Sequence, residues 1–233
     1  MKISIIIPVY NEEESIVGLL NYLNFHSDSS NVEILVVDGN SSDHTVDKVR
    51  HAGFRCITSE KKGRAAQMNK GAICSSGEVL YFVHADSIPP KTFMRDILNA
   101  VDRGYKAGCY RFKFDSGHPL LKINAFFTRF NRLMCRGGDQ TLFITRKLFE
   151  QLGGFNPEYH IMEDFDMIER IQAREKFKII PKEVIVSARK YKDNNYFKVN
   201  IANLIVFMMY FWGVSQEKMV NIYKSLINQT KFG

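Results

Sequence analysis

At 233 residues the chain can bury a full core as one domain, or as one domain with a small appendage. Its 45% hydrophobic and 24% charged content excludes a disordered or fibrous chain. A net charge of +7 favours anionic partners such as nucleotides or lipid surfaces; nucleic acid is disfavoured, because no basic aromatic recognition module stands out.

The first hundred residues alternate strand-like and helix-like runs. KISIIIP is a β-branched run that predicts a strand, and EEESIVGLLNYL places Ile16, Leu19, Leu20 and Leu23 at helical spacing. VEILVVD reads as a second buried strand, SSDHTVDKVRHA as a polar-capped helix, and FRCIT as a short strand. GRAAQMNKGAICSS follows as a helix and EVLYFVHAD as a strand. Strands separated by helices of this length pair in parallel through right-handed crossovers, so the predicted class is α/β with a mainly parallel central sheet flanked by helices.

Beyond Pro90 the pattern changes. A helix is expected to about Arg103, then a strand in YKAGCYRFKF, then a basic, aromatic amphipathic segment from Leu120 to Arg136. GGDQTLFITRKLFEQLGGF reads as loop, strand and helix, EDFDMIERIQARE as a helix, and KIIPKEVIVSARKY as a strand. The tail is apolar from Ile201 to Val214, shorter than the roughly 18 residues of a membrane span, which suits a buried or an interfacial helix. The expected organisation is a domain over residues 1–191 with a helical extension over 192–233 packed on it.

Cys56, Cys74, Cys109 and Cys135 form no CxxC pair and read as reduced core thiols. MKISIIIPVYNEEES is neither a signal peptide nor a span, so a cytoplasmic location is the expectation.

In an open parallel sheet, ligands bind outside the carboxyl ends of the strands. The first strand ends in PVYNEEE, where Asn11 could cap the next helix and Glu12 complement its dipole. The second ends at Asp38, either a turn residue ahead of a cap at Ser42 or Asp43, or an acceptor for a base N–H. Gly63 and Arg64 open a helix whose free N–H groups suit a phosphate, although neither common phosphate-loop pattern is present. Asp86 closes VLYFVHAD, and its carboxylate suits Mg²⁺ or Mn²⁺, with the His84 imidazole acceptable to Mn²⁺. Glu163 and Asp164 open a helix, where two acids also satisfy the helix dipole.

ISIIIPVYNEEESI, EILVVDGNSSDHT, GRAAQMNKGA, VLYFVHADSIPP, GGDQTLFITRKLFEQLGGF and MEDFDMIERI occur in that order. Together they resemble the family-2 glycosyltransferases, over residues Lys2 to about Tyr191. The nearest likeness is to a small soluble subgroup with HAD in place of the DXD motif and a closing SARKY segment.

The resemblance implies a nucleotide-diphospho-sugar transferase (GT-A) fold and an inverting glycosyltransferase. It assigns the nucleoside to Pro8, Tyr10, Glu12, Asp38 and Ala85, with Arg64 near the phosphates. It assigns a divalent metal, Mn²⁺ or Mg²⁺, to Asp86, and His84 stands where the motif's first aspartate is usual. It makes Asp164 the catalytic base with Glu163 beside it. Arg136 to Gln140, with Gly138, Asp139 and Gln140, is expected at the sugar or acceptor pocket, and Arg189 of SARKY over the pyrophosphate.

The expected donor is a nucleotide sugar, commonly UDP-linked. The acceptor stays open, with a lipid-linked acceptor, a peripheral membrane contact at the inner face, and a homodimer all compatible with the amphipathic segment. A nucleotidyltransferase and a noncatalytic nucleotide-sugar-binding protein are the rival readings.

Overall fold

The computed structural model describes residues 1–28, 30–137 and 140–228. The strands are β1 (Ile3–Val9), β2 (Val32–Asp38), β3 (Arg55–Thr58), β4 (Val79–Phe82), β5 (Ser87–Ile88), β6 (Ala107–Phe114), β7 (Leu142–Thr145) and β8 (Phe177–Val186). Among the described residues they form one sheet in the order β3-β2-β1-β4-β7-β6-β8-β5. β1 pairs in parallel with β2 and β4, β2 with β3, and β6 with β8; β7 runs antiparallel between β4 and β6, and β5 antiparallel to β8. The expected α/β class with a mainly parallel sheet is therefore the fold observed.

Helices α1 (Ile16–Phe25), α2 (Thr45–His51), α3 (Arg64–Ile73), α4 (Phe93–Asp102), α5 (Pro119–Phe127), α6 (Arg146–Gln151) and α7 (Glu163–Gln172) cover the sheet. Strand side chains alternate between faces. Ile3, Ile5, Ile7 and Val9 of β1 pack with α1 and α4, whereas Ile6 packs with Ala65, Met68 and Ala72 of α3, beside Met167, Ile168 and Ile171 of α7. β1 is buried along its whole length, as a strand covered on both faces must be.

α3 approaches the sheet closely. A Cβ on Gly71 would stand 2.4 Å from Ile6 Cγ2 and 3.1 Å from Val37 Cγ2, so only glycine fits. Gln67, one turn earlier and buried, donates from Nε2 to the carbonyls of Val9 and Val37, both at 2.8 Å. These two contacts fix the start of α3 against the carboxyl ends of β1 and β2.

Four local expectations need correction. Asn11 does not cap α1: residues 12–15 make a turn in which Ser15 and Ile16 N–H donate to the Glu12 carbonyl, delaying the helix to Ile16. Asn11 instead adopts φ 53°, and its Oδ1 accepts from Ser42 N–H at 2.8 Å. Glu12 is likewise not spent on the helix dipole, because an arginine claims its carboxylate.

β4 also stops at Phe82, four residues short of Asp86. Its ladders with β1 and β7 end at Ile6 and Leu142, and His84 to Asp86 turn away, with Ser87 N–H donating to the His84 carbonyl. Finally, the strand expected through Tyr191 ends at Val186. β8 carries an irregularity between its pairings Tyr110↔Ile180 and Arg111↔Glu183, leaving Pro181 and Lys182 unmatched. Proline lacks the N–H a regular ladder requires, and a bulge accommodates it. Past the bulge β8 also reaches β5, and Ser187 N–H donates to the Asp86 carbonyl at 3.1 Å.

The extension contains α8 (Tyr196–Phe211) and α9 (Gln216–Leu226). They pack on each other through Val199, Ala202, Val206, Met219 and Tyr223, and on Ile161, Met162 and Phe165 at the start of α7. No described helix is long and apolar enough to cross a membrane. All four cysteines are free thiols, but of the expected core positions only Cys109 is buried; Cys56, Cys74 and Cys135 are half-buried.

Candidate active site

Two loops at the ends of β1 and β2 are knitted together. Asn11 N–H donates to Ser41 Oγ at 2.9 Å and Glu12 N–H to Thr45 Oγ1 at 2.8 Å. Asn11 and Asn40 both take the left-handed conformation, which asparagine tolerates better than most residues. Asp38 is buried, and its carboxylate accepts from Asn40 N–H at 3.0 Å and from Ser41 N–H. That is the turn reading; a carboxylate has further lone pairs for a base N–H. Asp43, rather than Ser42, serves the start of α2, accepting from Thr45 N–H at 3.0 Å. Pro8 is buried within β1 opposite Val37, and Tyr10 follows the strand half-buried.

Arg189 lies in a 3₁₀ turn (Arg189–Tyr191) just past β8. Its guanidinium grips the Glu12 carboxylate in bidentate fashion, Nη1 to Oε2 at 2.9 Å and Nη2 to Oε1 at 2.6 Å. The same Nη2 stands 3.4 Å from Asp86 Oδ2. The hydrogen bonds to Glu12 hold Arg189 above its usual pKa, against the opposing pull of burial. The segments that follow β1, β4 and β8 thus meet at one cation.

A second cluster forms around α7. Met162, in the left-handed conformation at φ 67°, turns the chain so that Glu163 and Asp164 enter the first helical turn pointing inward, and both are buried. Arg64 Nη2, at the opening of α3, lies 2.6 Å from Glu163 Oε1. The pair is an ion pair between a half-exposed guanidinium and a buried carboxylate. Burial pushes the Glu163 pKa up; Arg64 pulls it down, and the Asp164 charge raises it further. His84 Nε2 stands 3.9 Å from Asp164 Oδ2.

The turn His84–Ala85–Asp86 joins the two clusters. One end addresses Asp164 and the other Arg189, while buried Ala85 packs into the core between them. Among the described residues no group of three or more His, Cys, Asp or Glu could hold a metal alone. The half-exposed Asp86 carboxylate fits Mg²⁺ or Mn²⁺ all the same, because such ions take one or two protein carboxylates and complete their shell with substrate phosphates and water.

Gln140 is elsewhere. It is fully buried, with Nε2 donating to the Cys135 carbonyl at 3.0 Å and Oε1 accepting from Cys109 Sγ. Beside it Arg136 is also buried, holding the Thr128 and Phe130 carbonyls and the Cys109 sulfur. Gly138 and Asp139 lie outside the described residues. Sequence reading missed Gln67 and the Arg64–Glu163 pair. The signal for Gln67 was a polar residue on the apolar side of α3, beside Met68.

A mainly parallel sheet of this order, flanked by helices, with acids and arginines gathered beyond its strand ends, is a GT-A type α/β fold. The glycosyl transferase family 2 model matches residues 4–154, and the chain belongs to that family. A probable glycosyltransferase, YdaM, of Bacillus subtilis is 28% identical over 198 residues, covering 73% of this chain and 46% of that protein. The dolichol-phosphate mannosyltransferase of Pyrococcus furiosus is 29% identical over 109 residues, 45% of this chain and 31% of that protein. The chain thus spans less than half the length of either relative.

Among solved structures, S. aureus TarS 1–349 superimposes with a TM-score of 0.67 at 19% identity, covering 96% of this chain and 69% of that one. The mannosyltransferase PcManGT from Pyrobaculum calidifontis, in complex with GDP-Man and Mn²⁺, gives 0.66 at 19% identity, covering 88% and 62%. At these identities the likeness concerns the fold.

Proposed function

We propose that the protein is an inverting glycosyltransferase that moves a sugar from a nucleoside-diphosphate donor, UDP-linked, to an acceptor hydroxyl. The observation that carries this reading is the 3.9 Å approach of His84 to Asp164, which ties the acid helix to the turn bearing Asp86. The strand-end loops of Tyr10, Glu12 and Asp38 receive the nucleoside. Asp86 would hold a divalent ion, which would supply positive charge against that developing on the departing diphosphate. Arg64 and Arg189 flank that turn on opposite sides and add fixed positive charge.

Asp164 accepts the proton of the acceptor hydroxyl as its oxygen bonds to the anomeric carbon. The bond from that carbon to the diphosphate oxygen breaks, and its electron pair leaves with the nucleoside diphosphate. Attack from the face opposite the leaving group inverts the centre. Glu163 acts beside it by holding Arg64.

Isothermal titration with UDP, GDP, CDP and dTDP, each with Mn²⁺ and with EDTA, tests the donor half. One nucleotide should bind only with Mn²⁺ and lose binding in Asp86→Ala; no binding of any nucleotide overturns the reading. Asp164→Asn should keep nucleotide affinity and lose about 10²–10⁴-fold in turnover, the range of a removed general base.

A further inference from the structure

The crevice leaves one feature of the molecule unused. On α8, Phe197, Ile201, Leu204, Met208 and Phe211 recur at the spacing of a single helix face, and all are exposed, Phe197 by 62%. The opposite face, Val199, Ala202, Val206 and Met209, is buried. A helix lying against a globular core in water carries a polar outer face, whereas the outer face of this one is mainly apolar, with Lys198 and Asn203 exposed at its sides. Trp212, 71% exposed, follows its end.

α5 has the same character. Ile123, Phe126, Phe127 and Phe130 are exposed along α5 and the turn after it. The two helices are neighbours: Asn124 Nδ2 donates to Asn200 Oδ1 at 3.0 Å, and Tyr196 OH donates to Asn124 Oδ1 at 2.7 Å. Their apolar faces flank this polar seam.

Within the two segments charge has one sign, although Asp193 and Glu217 border the second and Glu169 accepts from Tyr210 OH of α8 at 2.8 Å. Residues 119–136 contain Lys122, Arg129, Arg132 and Arg136 and no acid; residues 195–216 contain Lys198 and no acid. Lys122, Arg129, Arg132 and Lys198 are exposed, and the Arg129 guanidinium lies 3.8 Å above the Phe126 ring.

We propose that α5 and α8 form a docking face for an anionic lipid bilayer, with α8 lying in the interface plane. Apolar and aromatic side chains at the centre, a tryptophan at the edge and the exposed Lys122, Arg129, Arg132 and Lys198 around them are what such a surface selects. α8 is 16 residues long, which suits lying on a bilayer and not crossing it. A second copy seated on the same face would oppose one basic rim with another, with no acid in either segment to offset it.

The face also borders the candidate site. Phe165, one residue past Asp164, packs on Phe207 of α8 with ring centroids 5.7 Å apart. On the glycosyltransferase reading, docking would hold the acid pair near the headgroup layer and favour an acceptor hydroxyl carried by a lipid. The docking itself does not depend on that reading.

Flotation of the full chain with vesicles tests it, using three parts phosphatidylcholine to one part phosphatidylglycerol against phosphatidylcholine alone. The protein should float with the mixed vesicles, and with phosphatidylcholine or high salt it should stay behind. Arg129→Gln with Arg132→Gln should weaken partition roughly thirtyfold, about fivefold per basic residue near an anionic surface. Ile201→Ser with Leu204→Ser should abolish it, and unchanged nucleotide titration in both double variants confirms their fold. Wild-type protein that does not float with mixed vesicles overturns the proposal. So does a dimer, seen by light scattering, that Ile201→Ser with Leu204→Ser dissociates, which would assign the face to a second copy. If the wild type floats but binds no nucleotide, the glycosyltransferase reading fails and the docking face stands.

Discussion

Arg189 and Glu12 lie 177 positions apart in the chain and are joined by two hydrogen bonds, at 2.9 and 2.6 Å, that close the end of β8 onto the loop after β1. The Glu12 side chain is buried while Arg189 is 43% exposed. Arg189→Ala therefore leaves a buried carboxylate without its cation. Breaking a fully buried pair costs about 3–5 kcal/mol, and the exposure of Arg189 brings the expected loss to about 2 kcal/mol. Arg189→Lys should recover less than half, since an ammonium cannot reproduce the planar fork. Urea unfolding of the three proteins measures this, and equal midpoints for wild type and Arg189→Ala would refute it.

Much of this arrangement could be read from the sequence, for identifiable reasons. β-branched runs and apolar helical spacing are local, so the strands and helices from Ile3 to Phe82 and the helix opened by Gly63 follow from periodicity. Acids and arginines at strand ends pointed to the crevice. The pairings did not follow, because nothing local couples Arg189 to Glu12 or Arg64 to Glu163. Where β4 stops depends on how long its neighbours β1 and β7 keep pairing, and Asp86 therefore occupies a turn. Gln140 read as a pocket residue from its glycine-rich surroundings, but its amide is consumed by Cys135 and Cys109.

Gln67 supplies another test. Its Nε2 satisfies two carbonyls, Val9 and Val37, at the ends of β1 and β2. Gln67→Leu keeps the bulk and removes this donor; the Val9 carbonyl keeps the Gly39 N–H at 2.9 Å, so the cost falls chiefly on the Val37 carbonyl, a loss of about 1–3 kcal/mol. We expect destabilisation of about 2 kcal/mol with weakened nucleotide binding, because α3 then loses its register on the strand ends. Thermal unfolding and titration with UDP and Mn²⁺ would show both. A variant as stable as wild type would mean that the carbonyls find other donors.

Gly71→Ala tests the same helix by overpacking. The added methyl would stand 2.4 Å from Ile6 Cγ2, which must move for it to fit. Overpacked cores lose about 1–3 kcal/mol. Alanine is the better helix former by about 1 kcal/mol, so a net loss of about 1 kcal/mol is expected, where an open site would show a gain. A rise in melting temperature would show that α3 can move outward from the sheet without cost.

The Arg64–Glu163 pair predicts a pH dependence whose sign follows from burial. The Glu163 pKa lies above its ordinary value of 4.5, chiefly through desolvation. A carboxyl raised in the folded state contributes stability that is present below the unfolded value and lost as pH rises through the folded one. Arg64 limits that loss by attracting the charged form. Arg64→Ala should therefore be nearly neutral in acid, where Glu163 is protonated with or without its partner. Its cost should grow with pH above 4.5 to about 2 kcal/mol, a buried-pair loss discounted for the 42% exposure of Arg64. Glu163→Gln should behave oppositely, matching wild type in acid and gaining on it as pH rises, because removing the buried member leaves an arginine that water can solvate. Unfolding midpoints of the two variants across this pH range decide the matter, and a cost of Arg64→Ala independent of pH would show that Glu163 stays neutral throughout.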